Sequence, residues 1–462
     1  MTNASILATG IGSQLSSLIF SGQFVQLVVA VLFAFLFPIT SAAVINYLER
    51  KIMAWMQDRA GPLHTGPHGS LQLIADIGKM FFKEDVHAAK TDKSIFLLAP
   101  SAFIAPVIAS FAVLPFSPFI GLPGTALATG VVFLVAMSSL DVIGIIMAGW
   151  GSNNKYSLIG GLRAAAQMIS YELPLVLALV GVVMLTSILA GTPGYAGNAG
   201  IGTISIKEIM SFQNASAWPG QGIGFFDFIF KGNTPWAWFF LVQPLMLLIY
   251  YTCGLAETNR SPFDLPEAES ELVAGFLTEY SGIRWGMFFL GEYGNMTIVS
   301  AIAASLFLGG WAGPGVGYLT ASGMATGWII LGNLLGIAYF IAKVYLLCGV
   351  FIWIRATLPR LRSDQLMQYA WLILIPVTLG NILLTGLIYL ALSSLGLSNL
   401  VFLIVTGVIN WALFFGFIRV VRRAAVATAR HAQAPALRAV ALRQAEQARL
   451  AERTEAAVRG NG

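Results

Sequence analysis

Nine apolar stretches, each close to the length that crosses a bilayer, constrain this chain more than any other feature of its sequence. With soft edges they lie at 23–48, 95–115, 125–150, 171–191, 235–256, 286–311, 325–354, 369–393 and 399–419. A helix needs about 20 apolar residues to span the hydrocarbon core. Only 10% of the 462 residues are charged, against about 25% in soluble domains. Runs this long favour helices over barrel strands, so the sequence predicts an all-α polytopic membrane protein with about nine transmembrane helices.

The distribution of basic residues predicts the orientation. If the loop 49–94 is cytoplasmic, four further segments are cytoplasmic too: 151–170, 257–285, 355–368 and the tail from 419. Together these segments hold 23 of the 26 Lys and Arg residues. Since cytoplasmic loops carry an excess of Lys and Arg, we expect segment 1–22 outside and the basic, Ala- and Arg-rich tail 420–462 in the cytoplasm. The tail is interpreted as a solvated appendage; the alternative is a helix that binds a partner or anionic lipid.

The first cytoplasmic loop contains an amphipathic pattern over Leu71–Phe82, which predicts a helix lying along the membrane surface. His64 and His68 in the same loop have a spacing that suits a metal, but no third ligand stands nearby, so we expect no metal site.

Cys253 and Cys348 lie in apolar helices and are expected to pack as small hydrophobes. The sequence has no nucleotide-binding motif, and its net charge of +5 reflects topology rather than nucleic-acid binding.

An acidic loop between the fifth and sixth spans carries the first chemical signal. Within 257–271 it holds five carboxylates and a single cation, Arg260; the acids are Glu257, Asp264, Glu267, Glu269 and Glu271. Gathering five acids at a membrane boundary costs desolvation and mutual repulsion. This density predicts a proton-linked function.

Ionisable residues inside the predicted spans or at their boundaries are the second signal. They are Asp141, Glu172, Glu257, Glu292 and Lys343. Such residues are costly in a bilayer and commonly mark ion or proton pathways. The alternative is that each is paired structurally with a neighbour, but five of them beside an acidic loop favour a proton relay.

Four polar segments resemble, in order and spacing, the H subunit family of bacterial respiratory complex I, whose mitochondrial counterpart is subunit 1 of NADH:ubiquinone oxidoreductase. The segments are ERKIMAWMQDRAGP from residue 49, GWGSNNKYSLIGGLRAAAQMISYE from 149, AETNRSPFDLPEAESELVAGFLTEYSG from 256 and WIRATLPRLRSDQLM from 353. On composition alone the first of these is also typical of an interfacial aromatic anchor. The resemblance implies eight family helices in a membrane domain over 23–393, with an extra transmembrane helix at 394–419.

The resemblance also implies residue roles. A proton relay would use Glu172, Glu257, Asp264, Glu267, Glu269, Glu271 and Glu292. The tunnel by which quinone enters would be lined by Glu49, Arg50, Trp55, Met56, Arg59, Asp76 and Arg260. Docking of partner subunits would involve Arg355, Arg360, Arg362 and Asp364.

By the same resemblance the chain is a subunit of a proton-translocating NADH:quinone oxidoreductase in the bacterial inner membrane. It would bind quinone as substrate, contact lipid, and assemble with peripheral-arm and membrane-arm subunits. FMN and iron–sulfur clusters would lie in partner subunits, with no redox centre and no cofactor in this chain.

Three alternatives stay open at this point. One is the equivalent subunit of a membrane-bound hydrogenase or of a ferredoxin- or deazaflavin-linked dehydrogenase. Another is a stand-alone ion or solute transporter, and the third is a purely structural anchor for a peripheral arm.

Overall fold

The computed structural model describes residues 22–86, 88–117, 125, 127–190, 202–214, 238–265, 272–320, 325–397, 399 and 401–423. All its regular structure in these ranges is helical. The helices that build the fold are α1 (Gly22–Met56), α2 (Gln72–Phe82), α3 (Lys93–Phe111), α4 (Gly130–Gly151), α5 (Lys155–Leu189), α6 (Ile206–Asn214), α7 (Pro244–Glu257), α8 (Gly282–Phe307), α9 (Thr326–Thr357), α10 (Ser363–Ser394) and α11 (Val401–Arg423).

Within the described ranges, six helices are long and apolar enough to cross a membrane, namely α3, α4, α5, α9, α10 and α11, and α7 is apolar but shorter. The prediction of an all-α polytopic membrane protein is therefore confirmed. The total of about nine spans stays a prediction. The predicted amphipathic helix is also confirmed: α2 begins one residue after Leu71, packs on α1 and α8, and leaves Ile74, Phe81 and Phe82 exposed.

Small residues allow the bundle to pack closely, as is usual for membrane helices. A Cβ on Gly144 of α4 would lie 2.7 Å from the backbone nitrogen of Phe103 on α3, and a Cβ on Gly160 of α5 would lie 2.6 Å from the Cα of Gly275. Only glycine fits at either position. These contacts fix α4 against α3, and α5 against the turn that leads into α8.

The fourth span differs from the prediction. Residues 151–170 were expected to form a loop, with Glu172 at the start of the helix. Instead α5 begins at Lys155, after Asn154, whose side chain accepts a hydrogen bond from the Tyr156 backbone N–H at 3.0 Å. Glu172 thus lies in the middle of a 35-residue helix. The amides and glycines that suggested a loop serve as a cap and as packing positions.

The fifth span is also not the continuous helix that was expected. A helical turn at Phe239–Val242 stops at Gln243, and α7 restarts at Pro244. Proline lacks the N–H that would continue the helix. The Trp411 side chain of α11 donates from Nε1 to the Leu241 carbonyl at 3.1 Å, so α11 satisfies a backbone group next to the break.

Asparagine side chains join α11 to α10. Asn381 Nδ2 donates to Asn410 Oδ1 at 2.5 Å, and both residues are buried. Inter-helix hydrogen bonds of this kind stabilise helix association in a bilayer. The C-terminal helix is therefore a tightly bound part of the bundle.

Lys343 has a structural environment in α9. Helix α8 ends at Phe307 rather than at the predicted 311, because Gly309 and Gly310 take positive φ angles of 71° and 55°. The Lys343 ammonium donates to the carbonyls of Leu308, Gly310 and Ala312 at 2.7, 2.9 and 2.7 Å. A cation with three carbonyl partners is well placed to cap a buried helix end.

Candidate functional site

A cavity of about 470 Å³ opens at the end of the bundle where α1 and α9 end and α8 begins. We call it the charged pocket. It brings together four arginines and two acids from separate elements, and apolar side chains complete its wall. The lining residues are Asn46, Glu49, Arg50, Met53, Arg59, Arg260, Ala274, Leu277, Trp285, Phe289, Glu292, Tyr293 and Arg355.

Glu49, near the end of α1, is the centre of the charged pocket. One carboxylate oxygen forms an ion pair with Arg355 of α9 and lies 3.6 Å from an Arg260 nitrogen. The other oxygen accepts a hydrogen bond from the Tyr293 hydroxyl at 2.7 Å. Only 6% of Glu49 is exposed, so these partners replace the water that a carboxylate otherwise requires.

Arg260 connects Glu49 to a second buried acid. Its guanidinium lies 3.8 Å from Glu292 on α8 and 4.3 Å from the centre of the Tyr293 ring. Cations over aromatic rings are favoured electrostatically, most strongly where water is excluded. Charge on Glu49, Arg260 and Glu292 is therefore coupled.

The turn after α7 places Arg260. The buried amide of Gln167, on α5, donates to the carbonyls of Ala256 and Phe263 at 2.8 and 2.7 Å. It also lies 3.3 Å from the side-chain oxygen of Asn259, whose φ is +50°. This clamp fixes the chain between Glu257 and Arg260, so one short turn carries a pocket cation and a membrane acid.

The outer edge of the charged pocket is more exposed. Arg50 donates to Asp76 on α2 at 2.6 Å, which ties α1 to α2. Arg59 donates to Gln57 at 2.6 Å. Trp55 and Met56 are 74% and 45% exposed, and they offer apolar surface beside the arginines.

Deeper in the bundle, Glu257 and Glu172 form a second group, the membrane acid pair. Glu257 is 8% exposed and interacts electrostatically with Glu172. Each acid has a serine of α4 near it: Ser138 lines the same small cavity as Glu257, and Ser139 donates to Glu172. Glu257 is three residues before Arg260, so one short turn of the chain separates this pair from the charged pocket.

The acidic loop is described only in part. Asp264 is half-buried, and the Arg360 side chain donates to the neighbouring Leu265 carbonyl at 3.3 Å. Three acids of the predicted relay, Glu267, Glu269 and Glu271, lie outside the described residues.

The four residues predicted to dock partner subunits separate into two groups. Arg360, Arg362 and Asp364 are exposed around the start of α10. Arg355 is half-buried and lies in the charged pocket with Glu49. Its position suits the pocket as well as docking.

Tyr280, in the segment between α7 and α8, anchors this segment to α3. Its ring stacks on Phe96 with centroids 4.1 Å apart, and its hydroxyl donates to the Phe96 carbonyl at 3.2 Å. Burial raises the pKa of the Tyr280 phenol, an effect that the charge of Arg284 opposes. Its contacts make Tyr280 a structural anchor for the segment before α8.

In the described part of the chain, no group of three or more His, Cys, Asp or Glu side chains could hold a metal ion. Cys253 and Cys348 are both free and buried. The Cys348 thiol donates to the Ser300 hydroxyl at 3.3 Å.

Sequence reasoning missed several residues that complete the site. They are Tyr293, Gln167, Ser138, Ser139 and Asn295. All are uncharged, so a search for ionisable residues passes over them. The signals in the sequence are weak: Gln167 lies within the polar segment that begins at residue 149, Tyr293 follows Glu292, and Asn295 comes one helical turn after Glu292.

The fold and the site define a multi-pass membrane protein with a charged pocket at one end and carboxylates buried between its helices. A sequence profile of the NADH dehydrogenase family matches residues 28–386. The chain belongs to this family, which comprises the H subunits of complex I and their mitochondrial counterparts. Helix α11 begins beyond the matched region.

Curated relatives agree with the family assignment. One of them, the first NADH-quinone oxidoreductase H subunit of Geobacter sulfurreducens, is 41% identical over 383 residues, covering 79% of this chain and 95% of the relative. The second H subunit of Geobacter metallireducens is 42% identical, covering 79% and 96%. The H subunit of Brevibacillus brevis is 42% identical over 344 residues, covering 74% and 87%.

Proposed function

We propose that this chain is the inner-membrane subunit of a proton-translocating NADH:quinone oxidoreductase, that its charged pocket admits quinone, and that its buried acids begin the proton relay. The observation that carries the proposal is the turn from Glu257 to Arg260. This turn joins a pocket of ligand size to acids inside the bundle, so a charge change in the pocket is transmitted to the membrane acid pair.

The charged pocket has the properties that a quinone site requires. Its volume of about 470 Å³ falls within the range of roughly 300–1,000 Å³ that is usual for small-molecule sites. A quinone head presents two carbonyl acceptors, and the guanidinium groups of Arg260 and Arg355 carry N–H donors. Trp55 and Met56 offer exposed apolar surface that suits an isoprenoid tail.

The relay needs acids that exchange protons away from bulk water. Two electrons that reach the quinone place negative charge beside Arg260 and Glu292 until the two protons of the reduction neutralise it. Glu257 lies one turn away and interacts with Glu172, and Ser138 and Ser139 offer hydroxyls at the two carboxylates. We infer that the proton moves from the pocket network to Glu257 and then to Glu172. The undescribed acids of the loop would exchange protons with the pocket.

Partner subunits complete the activity. Electrons would arrive from NADH through the FMN and iron–sulfur clusters of the peripheral arm, whose quinone-site subunits would dock at Arg360, Arg362 and Asp364. Membrane-arm subunits would receive the effect of the relay. We propose the orientation that the distribution of basic residues indicates, with segment 1–22 outside and the tail 420–462 in the cytoplasm.

The test uses the purified, assembled complex in liposomes with the Glu257→Gln variant. Glutamine keeps the shape and removes the exchangeable proton. NADH-driven quinone reduction and internal acidification should both fall at least about a hundredfold, the usual range for lost acid–base function, while NADH:ferricyanide activity persists. Glu279→Gln is the matched control, because Glu279 accepts a hydrogen bond from Asn154 at 2.7 Å and does not line the charged pocket. Unchanged pumping in Glu257→Gln would refute the relay, and flux from the isolated chain would favour a stand-alone transporter.

A further inference from the structure

Asp141 is a buried acid of α4 that the proposed relay does not use. It is 1% exposed, and one carboxylate oxygen accepts a hydrogen bond from Asn295 of α8 at 2.7 Å. The other oxygen, Oδ1, is buried without a hydrogen-bond partner in the described part of the chain. A buried oxygen of this kind is costly, so its presence calls for a physical reason.

A small cavity lies beside Glu257 and beside Asn295, the hydrogen-bond partner of Asp141. Its volume is about 30 Å³, and its polar lining comes from Ser110, Ser138, Tyr250, Glu257 and Asn295. A water molecule needs at least about 10–15 Å³ and two to four polar partners. The cavity therefore has the size and the chemistry for one or two waters.

The hydroxyls of the cavity are oriented to receive hydrogen bonds. Ser110 donates to the Pro106 carbonyl at 2.9 Å, and Tyr250 donates to the Val299 carbonyl at 3.2 Å. Each hydroxyl hydrogen is thus engaged by the protein, and the oxygen lone pairs stay available. A water in the cavity can donate to them.

Asn295 joins this cavity to Asp141, because it lines the cavity and also donates to the Asp141 carboxylate. Ser138 is one turn before Asp141 on α4, and Glu292 is one turn before Asn295 on α8. Glu257 is close enough to Asp141 for the two carboxylates to interact electrostatically. Asp141 is thus joined through Asn295 to the cavity that Glu257 lines.

We propose that Asp141 is a further proton-exchanging acid of the relay, connected to Glu257 by water held in this cavity. The Glu257 carboxyl group gives its proton to a water, and that water releases another proton to Oδ1 of Asp141. One negative charge moves from Asp141 to Glu257, and the Asn295 hydrogen bond stabilises the charged form of Asp141. The inference rests on the proposed function of Glu257.

The test is the Asp141→Asn variant in the assembled complex. Asparagine preserves the size of the side chain and an oxygen for Asn295, so a purely structural Asp141 predicts wild-type activity. A relay acid predicts that quinone-linked acidification falls about tenfold or more, with ferricyanide activity retained. It also predicts a carboxyl C=O band in the reduced-minus-oxidised infrared spectrum that shifts in D₂O and is absent from Asp141→Asn.

A second variant covers the case in which Asp141→Asn does not assemble. Val135→Ile adds one methylene at the wall of the small cavity and alters no polar group, so displacement of the water should lower acidification severalfold.

Wild-type acidification in whichever variant assembles, with no lost carboxyl band, overturns the inference. If Glu257→Gln is impaired while Asp141→Asn is normal, only the role of Asp141 fails. If Glu257→Gln is also normal, the proposed function itself fails.

Discussion

Replacing Glu49 by Gln removes the negative charge at the centre of the charged pocket. Glu49 lies 3.6 Å from Arg260, a separation worth about 4–5 kcal/mol at an effective dielectric constant of about 20. The side chains of Glu49 and Arg260 are only 8% and 9% exposed, so Glu49→Gln removes one of the two buried acids, Glu49 and Glu292, that pair with Arg260. Breaking a buried ion pair in this way costs about 3–5 kcal/mol.

This cost is measurable as protease cleavage of the subunit within the purified complex, since cleavage in the slow-cutting regime reports the population of the opened form. A loss of about 3–5 kcal/mol corresponds to cleavage that is faster by about a hundredfold to several thousandfold. The matched control is Asp76→Asn, which breaks the Arg50 pair. Because 43% of the Arg50 side chain is exposed, that loss should be at most about 1 kcal/mol.

A double-mutant cycle makes the prediction sharper. Glu49→Gln together with Arg355→Gln removes charge of both signs, so its cost should be well below the sum of the two single costs. Equal cleavage rates in Glu49→Gln and Asp76→Asn, or strictly additive costs in the cycle, would refute the reasoning that Glu49 neutralises buried arginines.

Three further outcomes are expected. Lys343→Met removes the ammonium that caps three carbonyls, so thermal inactivation of the complex should occur at lower temperature. The number of protons pumped per electron in the surviving complex should equal that of wild type, and an altered number would contradict the structural role. Asn410→Leu deletes the hydrogen bond to Asn381, which should cost about 0.6–2 kcal/mol in cleavage-based stability, and no change would show that the bond contributes nothing. Glu267→Gln combined with Glu271→Gln should lower quinone-linked turnover in an assembled complex, and normal turnover with full acidification would remove both acids from the relay.

Apolar patterning predicts the helices well because each span must satisfy its own backbone in lipid. It does not predict the interruption at Gln243, since hydropathy carries no information about the Trp411 hydrogen bond that covers the break. The start of α5 was missed for a similar reason: Gly160 resembles a loop residue until its contact with Gly275 is known.

The ionisable residues of the site could be found from sequence because charge is rare in this chain. The side chains that pair with these ionisable residues could not be found from sequence. Glu49 and Arg355 are 306 positions apart, and nothing local in the sequence joins them. Uncharged partners such as Gln167 and Asn295 become visible only when the helices are assembled.

Quinone-linked turnover and internal acidification, measured together in liposomes containing the complex with Glu172→Gln, test the coupling role most directly. If quinone chemistry drives protons through the membrane acid pair, quinone-linked turnover and acidification should both collapse while NADH:ferricyanide activity persists. A Glu172→Gln complex that reduces quinone and acidifies the liposomes at the wild-type rates would contradict the account.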